Sequence, residues 1–197
     1  MISHENIVIV LASSSPRRIE MFRKHGINPI IIPADIDEAI PAQLDVCEAV
    51  MHLAMKKAMK AKEDPRVPFG AWIVGADTLV YKNRIIGKPA DKEEAYITLK
   101  CLSGAVHDVY SGVALLHATG AHESVFYQRT KVFFKEYSDE DIKAYIATGE
   151  PFDKAGGYAI QGGFAKYIDC IEGDYENVIG FPWNRFVKEL HYLIESE

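Results

Sequence analysis

The chain has little cysteine, no long apolar run and no excess of positive charge, and each shortage removes a class of function. Cys47, Cys101 and Cys170 are its only cysteines. They stand far apart, with no CxxC pair and no metal-ligand spacing, so they read as small core residues in a reducing cytosol rather than a disulfide framework or a zinc site. No stretch approaches the ~20 apolar residues of a membrane-spanning helix. Ile7–Ala12 is too short for a secretory signal and follows Glu5 instead of a basic segment. A cytoplasmic location is expected. The net charge of −6 argues against a broad nucleic-acid or acidic-membrane surface, yet it permits a local basic pocket. There is no Walker P-loop, no internal repeat, no low-complexity tract and no break in composition. At 197 residues the chain is long enough for one large domain, and a single α/β domain over 1–197 is the expectation.

What is present gathers first at Ile7–Gly26, IVIVLASSSPRRIEMFRKHG. Ile7–Leu11 is a β-branched run that reads as a buried strand. Ser15 suits a helix N-cap, Pro16 the first helical position, and Gly26 the helix end. Ile19 and Phe22 mark the apolar face. Backbone N–H groups, hydroxyls, Arg17 and Arg18 therefore collect at one point, which suits an anion such as phosphate. An ordinary capped helix with both arginines in solvent is the plainer reading, and this stretch alone leaves the two level. Positive charge at a helix start opposes the macrodipole and asks for a reason.

Pro29–Pro33 reads as a short buried strand, and Asp35, Asp37 and Glu38 as a solvated acidic loop or a carboxylate cation site. Asp45–Lys62 is a long helix. Val46, Val50, Leu53 and Ala61 form its apolar stripe, and Lys57 falls on the same stripe. A lysine there serves an anion site or snorkels to the edge. If it is present for function alone, Lys57→Met should leave stability intact. Ala71–Tyr81 is a strand with Asp77 in its middle, where a carboxylate needs a counter-ion, a metal or an opening into a cleft. Lys82–Arg84 turns into Ile85–Ile86, a hairpin that leads to Lys88. Asp91 with Glu94 opens a helix to Leu102; Ser138 opens another that ends at Gly149. His107–His117 and Ser124–Tyr137 are strands. DKAGGYAIQGG, Asp153–Gly163, has four glycines, so its backbone can approach a ligand closely. Phe164–Ile171 is read as a strand, and Pro182 starts the last helix. Crossovers together with hairpins make the sheet mixed.

These blocks resemble the Maf-type nucleoside triphosphate pyrophosphatases. The matching stretches are LASSSPRR at Leu11–Arg18, GADTLV at Gly75–Val80, GKPADKEEA at Gly87–Ala95, GEPFDKAGGYAIQGG at Gly149–Gly163 and, more weakly, NVIGFP at Asn177–Pro182. They span nearly the whole chain. The resemblance implies a mixed sheet flanked by helices with a deep cleft between two lobes, related to the inosine triphosphatase fold. It also implies hydrolysis between the α- and β-phosphates of dTTP and UTP, giving a monophosphate and pyrophosphate and limiting non-standard pyrimidine nucleotides. Asp77 matches the position of the catalytic acidic residue, as general base or metal ligand. Arg17, Thr78 and Gln161 match specificity positions; Ser13, Arg18, Lys57 and Lys88 match phosphate contacts. Asp77 with Glu38 would hold a divalent cation, Mg²⁺ or Mn²⁺. The partners implied are the nucleotide substrate and a homodimer, with neither nucleic acid nor membrane. Ala159 departs from the subfamily's Gly, which is tolerable if φ stays negative there.

Two rivals differ in class. An aspartyl-nucleophile phosphatase would need a second aspartate two residues from Asp77, where Gly75 and Leu79 stand. A non-catalytic nucleotide sensor of cell division, suggested by the family's association with septum formation, could dispense with the acidic residues. Asp77 and Glu38 are both retained, which favours the enzyme.

Overall fold

Alternating apolar strands and amphipathic helices build the first part of the chain. The computed structural model describes residues 7–196. Strand β1 (Ile9–Leu11), helix α1 (Pro16–Lys24), strand β2 (Ile30–Ile31), helix α2 (Val46–Lys62) and strand β3 (Trp72–Tyr81) follow one another. β1 pairs in parallel with β2 on one side and with β3 on the other. The chain therefore leaves β1, lays one strand on its left neighbour position and returns to lay the next on its right. Such a reversal opens a crevice at the carboxyl end of the central strand, and here that end is Ala12–Ser15. β1 is buried on both faces, as its unbroken apolar run requires. β2 is an edge strand of two residues, partly exposed, and only Ile32 beyond it is buried. The expected buried strand at Pro29–Pro33 is thus a short edge.

Strand β4 (Ile85–Ile86) pairs antiparallel with β3 through a turn whose Asn83 takes φ +58°. Helix α3 (Lys92–Leu102), strands β5 (Val106–His117) and β6 (Glu123–Phe134), helix α4 (Asp139–Ala147), strand β7 (Ile168–Glu172), and helices α5 (Tyr175–Ile179) and α6 (Trp183–Glu195) complete the order. The strands form one seven-stranded mixed sheet, β2-β1-β3-β5-β6-β7, with β4 on β3. Among the described residues no helix is long and apolar enough to cross a membrane.

The chain divides into two compact units, crossing between them after Asp77, Tyr110, Tyr127 and Ile179. The first holds β1, α1, β2, α2 and α6. One of its core clusters is rich in alanine: Ala12, Ala54, Ala58, Ala61, Ala71 and Ala114 pack with Val10, Ile32, Ile73 and Leu116. Small side chains let helix and sheet approach closely. A Cβ on Gly75 would stand 2.1 Å from the Ala54 carbonyl oxygen, and one on Gly112 would stand 2.4 Å from that of Val50. In the same unit Phe22 of α1 packs on Phe181, Trp183 and Phe186, centroids 5.1–5.4 Å away.

The second unit holds α3, α4, β4, β7 and α5. Its core is aromatic: Phe134, Tyr137, Tyr145, Tyr158 and Phe164 join Leu99, Leu102, Val132 and Ile142. Phe164–Tyr167 is not strand; Ala165–Tyr167 forms a 3-10 turn before β7. Helix α5 is not among the elements expected from the sequence. Asp174 Oδ1 accepts from the N–H groups of Glu176 and Asn177, and buried Asn177 donates to Val109 O and Thr130 Oγ1. The cysteines are not core residues: Cys47 is half-buried, Cys101 and Cys170 are exposed, and all three are free thiols.

Candidate active site

The first unit places five of the expected residues around two local features, a helix start and a lysine on a buried helix face. Pro16 occupies the first position of α1 with Ser15 before it. Ser15 makes no side-chain cap. Ser13 Oγ instead accepts from the Ser15 N–H at 3.2 Å. The helix ends as its Gly26 requires: φ is +80°, Gly26 N–H donates to Arg23 O and Ile27 N–H to Phe22 O.

Arg18 turns inward from this helix start. Its Nη1 donates to Ala76 O at 3.0 Å and to Ser13 Oγ at 3.3 Å, and its Nε donates to Gly180 O at 2.9 Å. Burial lowers its pKa; the Asp77 carboxylate opposes this, Arg17 adds to it and Glu38 opposes it. A guanidinium remains charged throughout. The cation that the macrodipole disfavours thus fastens the serine turn to β3 one residue before Asp77. The sequence left Arg18 level between an anion site and solvent. It could not show these carbonyl partners, which lie 58 and 162 residues away.

Lys57 is the second feature. Asp45 caps α2 in a reciprocal box with Glu48, which fixes the helix phase, and the stripe turns Lys57 inward. The residue is only 9% exposed. Its Nζ lies 2.5 Å from Asp77 Oδ1 and 2.6 Å from Glu38 Oε1. Asp77 is 8% exposed, whereas Glu38 reaches in from an exposed loop. The question raised by a carboxylate inside an apolar strand is answered by this shared ammonium. Two carboxylates therefore converge on one point of positive charge, and they are the oxygen donors that could hold a hard cation. Lys56, the neighbour, braces the acidic loop by donating to Asp37 O at 2.6 Å.

Arg17 is half-buried on α1 in the same unit. The other three expected residues belong to the second unit. Thr78 follows Asp77 on β3 and is half-buried; Lys88 is exposed between β4 and α3; Gln161 is exposed on the glycine-rich loop. Gly156 N–H donates to Gly87 O at 3.0 Å, tying that loop to the residue before Lys88. Gly156 has φ +69°, and a Cβ there would meet Val80 at 2.9 Å, so the position excludes every side chain. Glu150 Oε2 accepts from the Gly163 N–H at 3.1 Å. Ala159 stays out of the positive-φ region, which accommodates its methyl.

A family model described as Maf-like protein matches residues 8–193. A dTTP/UTP pyrophosphatase of a Geobacillus species is 46% identical over 186 residues, 94% of this chain and 97% of that protein. One from Caldicellulosiruptor bescii is 45% identical over 179 residues, 90% of each chain. Among solved structures, a nucleoside-triphosphatase (dITP/XTP pyrophosphatase) from Mycobacterium abscessus matches with TM-score 0.46 and 13% identity, covering 94% of both chains.

Proposed function

This chain belongs to the Maf-like protein family, and we propose that it hydrolyses dTTP and UTP to the nucleoside monophosphate and pyrophosphate. The observation that carries the reading is the buried Asp77 carboxylate, held with Glu38 on Lys57 beside the Arg18-braced serine turn. Two relatives more than 40% identical over at least nine-tenths of the chain bear the name dTTP/UTP pyrophosphatase.

In the reaction a water oxygen bonds to Pα while the bond from Pα to the bridging oxygen breaks. Pyrophosphate leaves with that electron pair, and the water proton is released. Little covalent chemistry falls to the protein; alignment and charge stabilisation make up most of its task. Asp77 is assigned to the reacting water, its orientation fixed by Lys57. Ser13, Arg18, Lys57 and Lys88 are assigned to the phosphates. Arg17, Thr78 and Gln161 are assigned to selectivity, with the Gln161 amide matching the O4 and N3–H edge of thymine or uracil.

A divalent cation, Mg²⁺ or Mn²⁺, is assigned to Asp77 and Glu38, where it would share the two carboxylates with the Lys57 ammonium already on Oδ1 and Oε1 and take its other ligands from water and substrate phosphates. When bound, it would neutralise phosphate charge. The reading includes a cytoplasmic location, a homodimer to be checked by sedimentation, and a role in limiting non-standard pyrimidine nucleotides.

The test is a nucleotide panel with Mg²⁺ or Mn²⁺. Pyrophosphate should appear from dTTP and UTP well ahead of ATP and GTP. Orthophosphate as the product, or equal rates across the panel, would overturn the reading. Binding with no turnover would make the chain a sensor, relevant to septum formation, instead of an enzyme.

A further inference from the structure

One buried polar pair lies outside the groups assigned above. His107 stands near the start of β5 and is 2% exposed. Its Nε2 lies 2.6 Å from the Tyr158 hydroxyl, also buried. The pair sits among aromatic rings: Phe134 packs on His107 at 5.1 Å and on Tyr158 at 4.8 Å between centroids. Among the described residues His107 Nδ1 has no hydrogen-bond partner. Burial lowers the His107 pKa to about 4, Asp108 opposing this and Lys82 adding to it, so the ring is neutral near pH 7.

A neutral imidazole and a phenol make one directional bond here, where two phenylalanines would fill the same space without leaving a ring nitrogen unpaired. That cost asks for a return. Tyr158 lies in the glycine-rich loop, directly after Gly156 and Gly157 at φ +69° and +72°. Glycines give that backbone freedom and do not themselves specify where it goes. Three residues further on is Gln161, and three beyond that is Phe164, fully buried and stacked on Tyr145 at 4.5 Å. Gln161 is therefore slung between two aromatic anchors. Phe164 is held by shape alone, since a ring in a cluster can slide. Tyr158 is held by shape and by a bond to a residue of a long strand. Buried polar pairs of this kind select one arrangement among several of similar packing.

We infer that the His107–Tyr158 hydrogen bond is a positioning device, through which β5 sets the loop carrying Gln161 and thereby the selectivity for the base. The selectivity part rests on the proposed assignment of Gln161 as the residue that reads the base; the loop-setting part does not.

Three variants of the full chain test it: Tyr158→Phe, the double His107→Phe/Tyr158→Phe, and Gln161→Ala. Two readouts are needed, the ratio of kcat/KM for dTTP over GTP and amide hydrogen exchange across 155–163. Tyr158→Phe should lower the ratio about three- to tenfold, the range expected for one hydrogen bond. The loss should lie mainly in KM for dTTP, and exchange in 155–163 should accelerate. The double variant removes both polar partners and keeps the rings, so its denaturant midpoint should recover. Its selectivity and loop exchange should stay as poor as those of Tyr158→Phe. If the double variant recovers selectivity along with stability, the pair is only a packing detail and the inference falls. It falls equally if Gln161→Ala narrows the ratio while Tyr158→Phe leaves it intact. If Gln161→Ala has no effect, the base-reading assignment fails and exchange decides the loop-setting part: faster exchange upholds it, and unchanged exchange overturns it.

Discussion

Lys57 brings a charge into a helix face otherwise lined by Val50, Leu53, Ala54, Ala58 and Ala61. On the sequence alone, replacing it with a well-packed methionine should leave the fold no less stable. The ion pair reverses that expectation. Asp77 is buried with its Oδ1 against Lys57, so Lys57→Met strands a carboxylate in an apolar layer. Breaking a buried pair from one side is destabilising, here on the order of 3 kcal/mol. The double variant Lys57→Met/Asp77→Asn should regain most of that loss, because no uncompensated charge remains. Denaturant melts of the two variants decide it, and equal stabilities would mean the pair is well hydrated. Asp77→Asn alone should keep the fold and lower turnover by ~10²–10⁴-fold, the usual scale for a lost acid–base group. Near-normal turnover would move the chemistry to Glu38. Asp77 was legible in the sequence because a carboxylate within an apolar strand always requires an explanation. Its partner was legible only as a misplaced lysine, since nothing local says that residue 57 faces residue 77. His107 was read merely as the first residue of a strand, because its Tyr158 partner is 51 positions away.

Helix α2 is the element that brings Lys57 to Asp77, and Gly75 is what lets it lie there. Gly75 φ is not positive, so backbone conformation is not the issue; space is. A methyl at 75 would meet Ala54 O at 2.1 Å, Ala58 N at 2.7 Å and Ala58 Cβ at 2.9 Å, all on α2 and mostly backbone. A flexible side chain could swing aside, but a helix backbone must move as a body. Gly75→Ala should therefore cost about 3 kcal/mol, the upper end for overpacking. Displacing α2 should also pull Lys57 off Asp77, with turnover falling on the order of 100-fold. Loss of turnover without loss of stability, or the reverse, would break the proposed link between packing and site. Elements set by local chemistry were readable in advance. Ser138 caps its helix as expected, and Asp91 accepts from the Glu94 N–H; the reciprocal Asp45–Glu48 and Ser138–Asp141 boxes add to what was read there. At Asp91 the Glu94 carboxylate reaches back to the Ala90 N–H instead of closing a reciprocal box. What the sequence hid was set from a distance. Ala165–Tyr167 turns into a 3-10 segment because Phe164 is drawn into the aromatic core, and five-residue α5 forms around buried Asn177, whose partners lie on β5 and β6.

At the scale of the whole molecule the two cores differ in chemistry, alanine-rich in one unit and aromatic in the other, a contrast that the even composition of the chain conceals. The difference bears on acid stability. His107 is enclosed by the aromatic core with a pKa lowered to about 4, against ~6.5 in an unfolded chain. Between those values the unfolded state binds a proton that the folded state does not, so stability falls as pH drops through this window. A shift of that size corresponds to roughly 3 kcal/mol, fully lost below about pH 4. Surface carboxylates act lower down. Arg66 holds Asp64 at about 2, hydrogen bonds from Tyr167 and Ser138 hold Asp141 at about 2, and Lys100 and Tyr96 lower Asp139. Their contributions are present above the ordinary carboxylate range and fade as pH falls from about 4 towards 2. Acid destabilisation should therefore run in two stages, the first from one buried histidine and the second from surface carboxylates. Replacing both members of the buried pair, His107→Phe/Tyr158→Phe, removes the first titration and leaves the second. Urea midpoints measured from pH 7 to pH 3 should fall for the natural chain between pH 6.5 and 4 and stay nearly level for the double variant. The two curves should then descend together below pH 4. A double variant that loses stability as steeply as the natural chain between pH 6.5 and 4 would show that His107 takes up its proton in the folded state, and that the aromatic core is wetter than its packing implies.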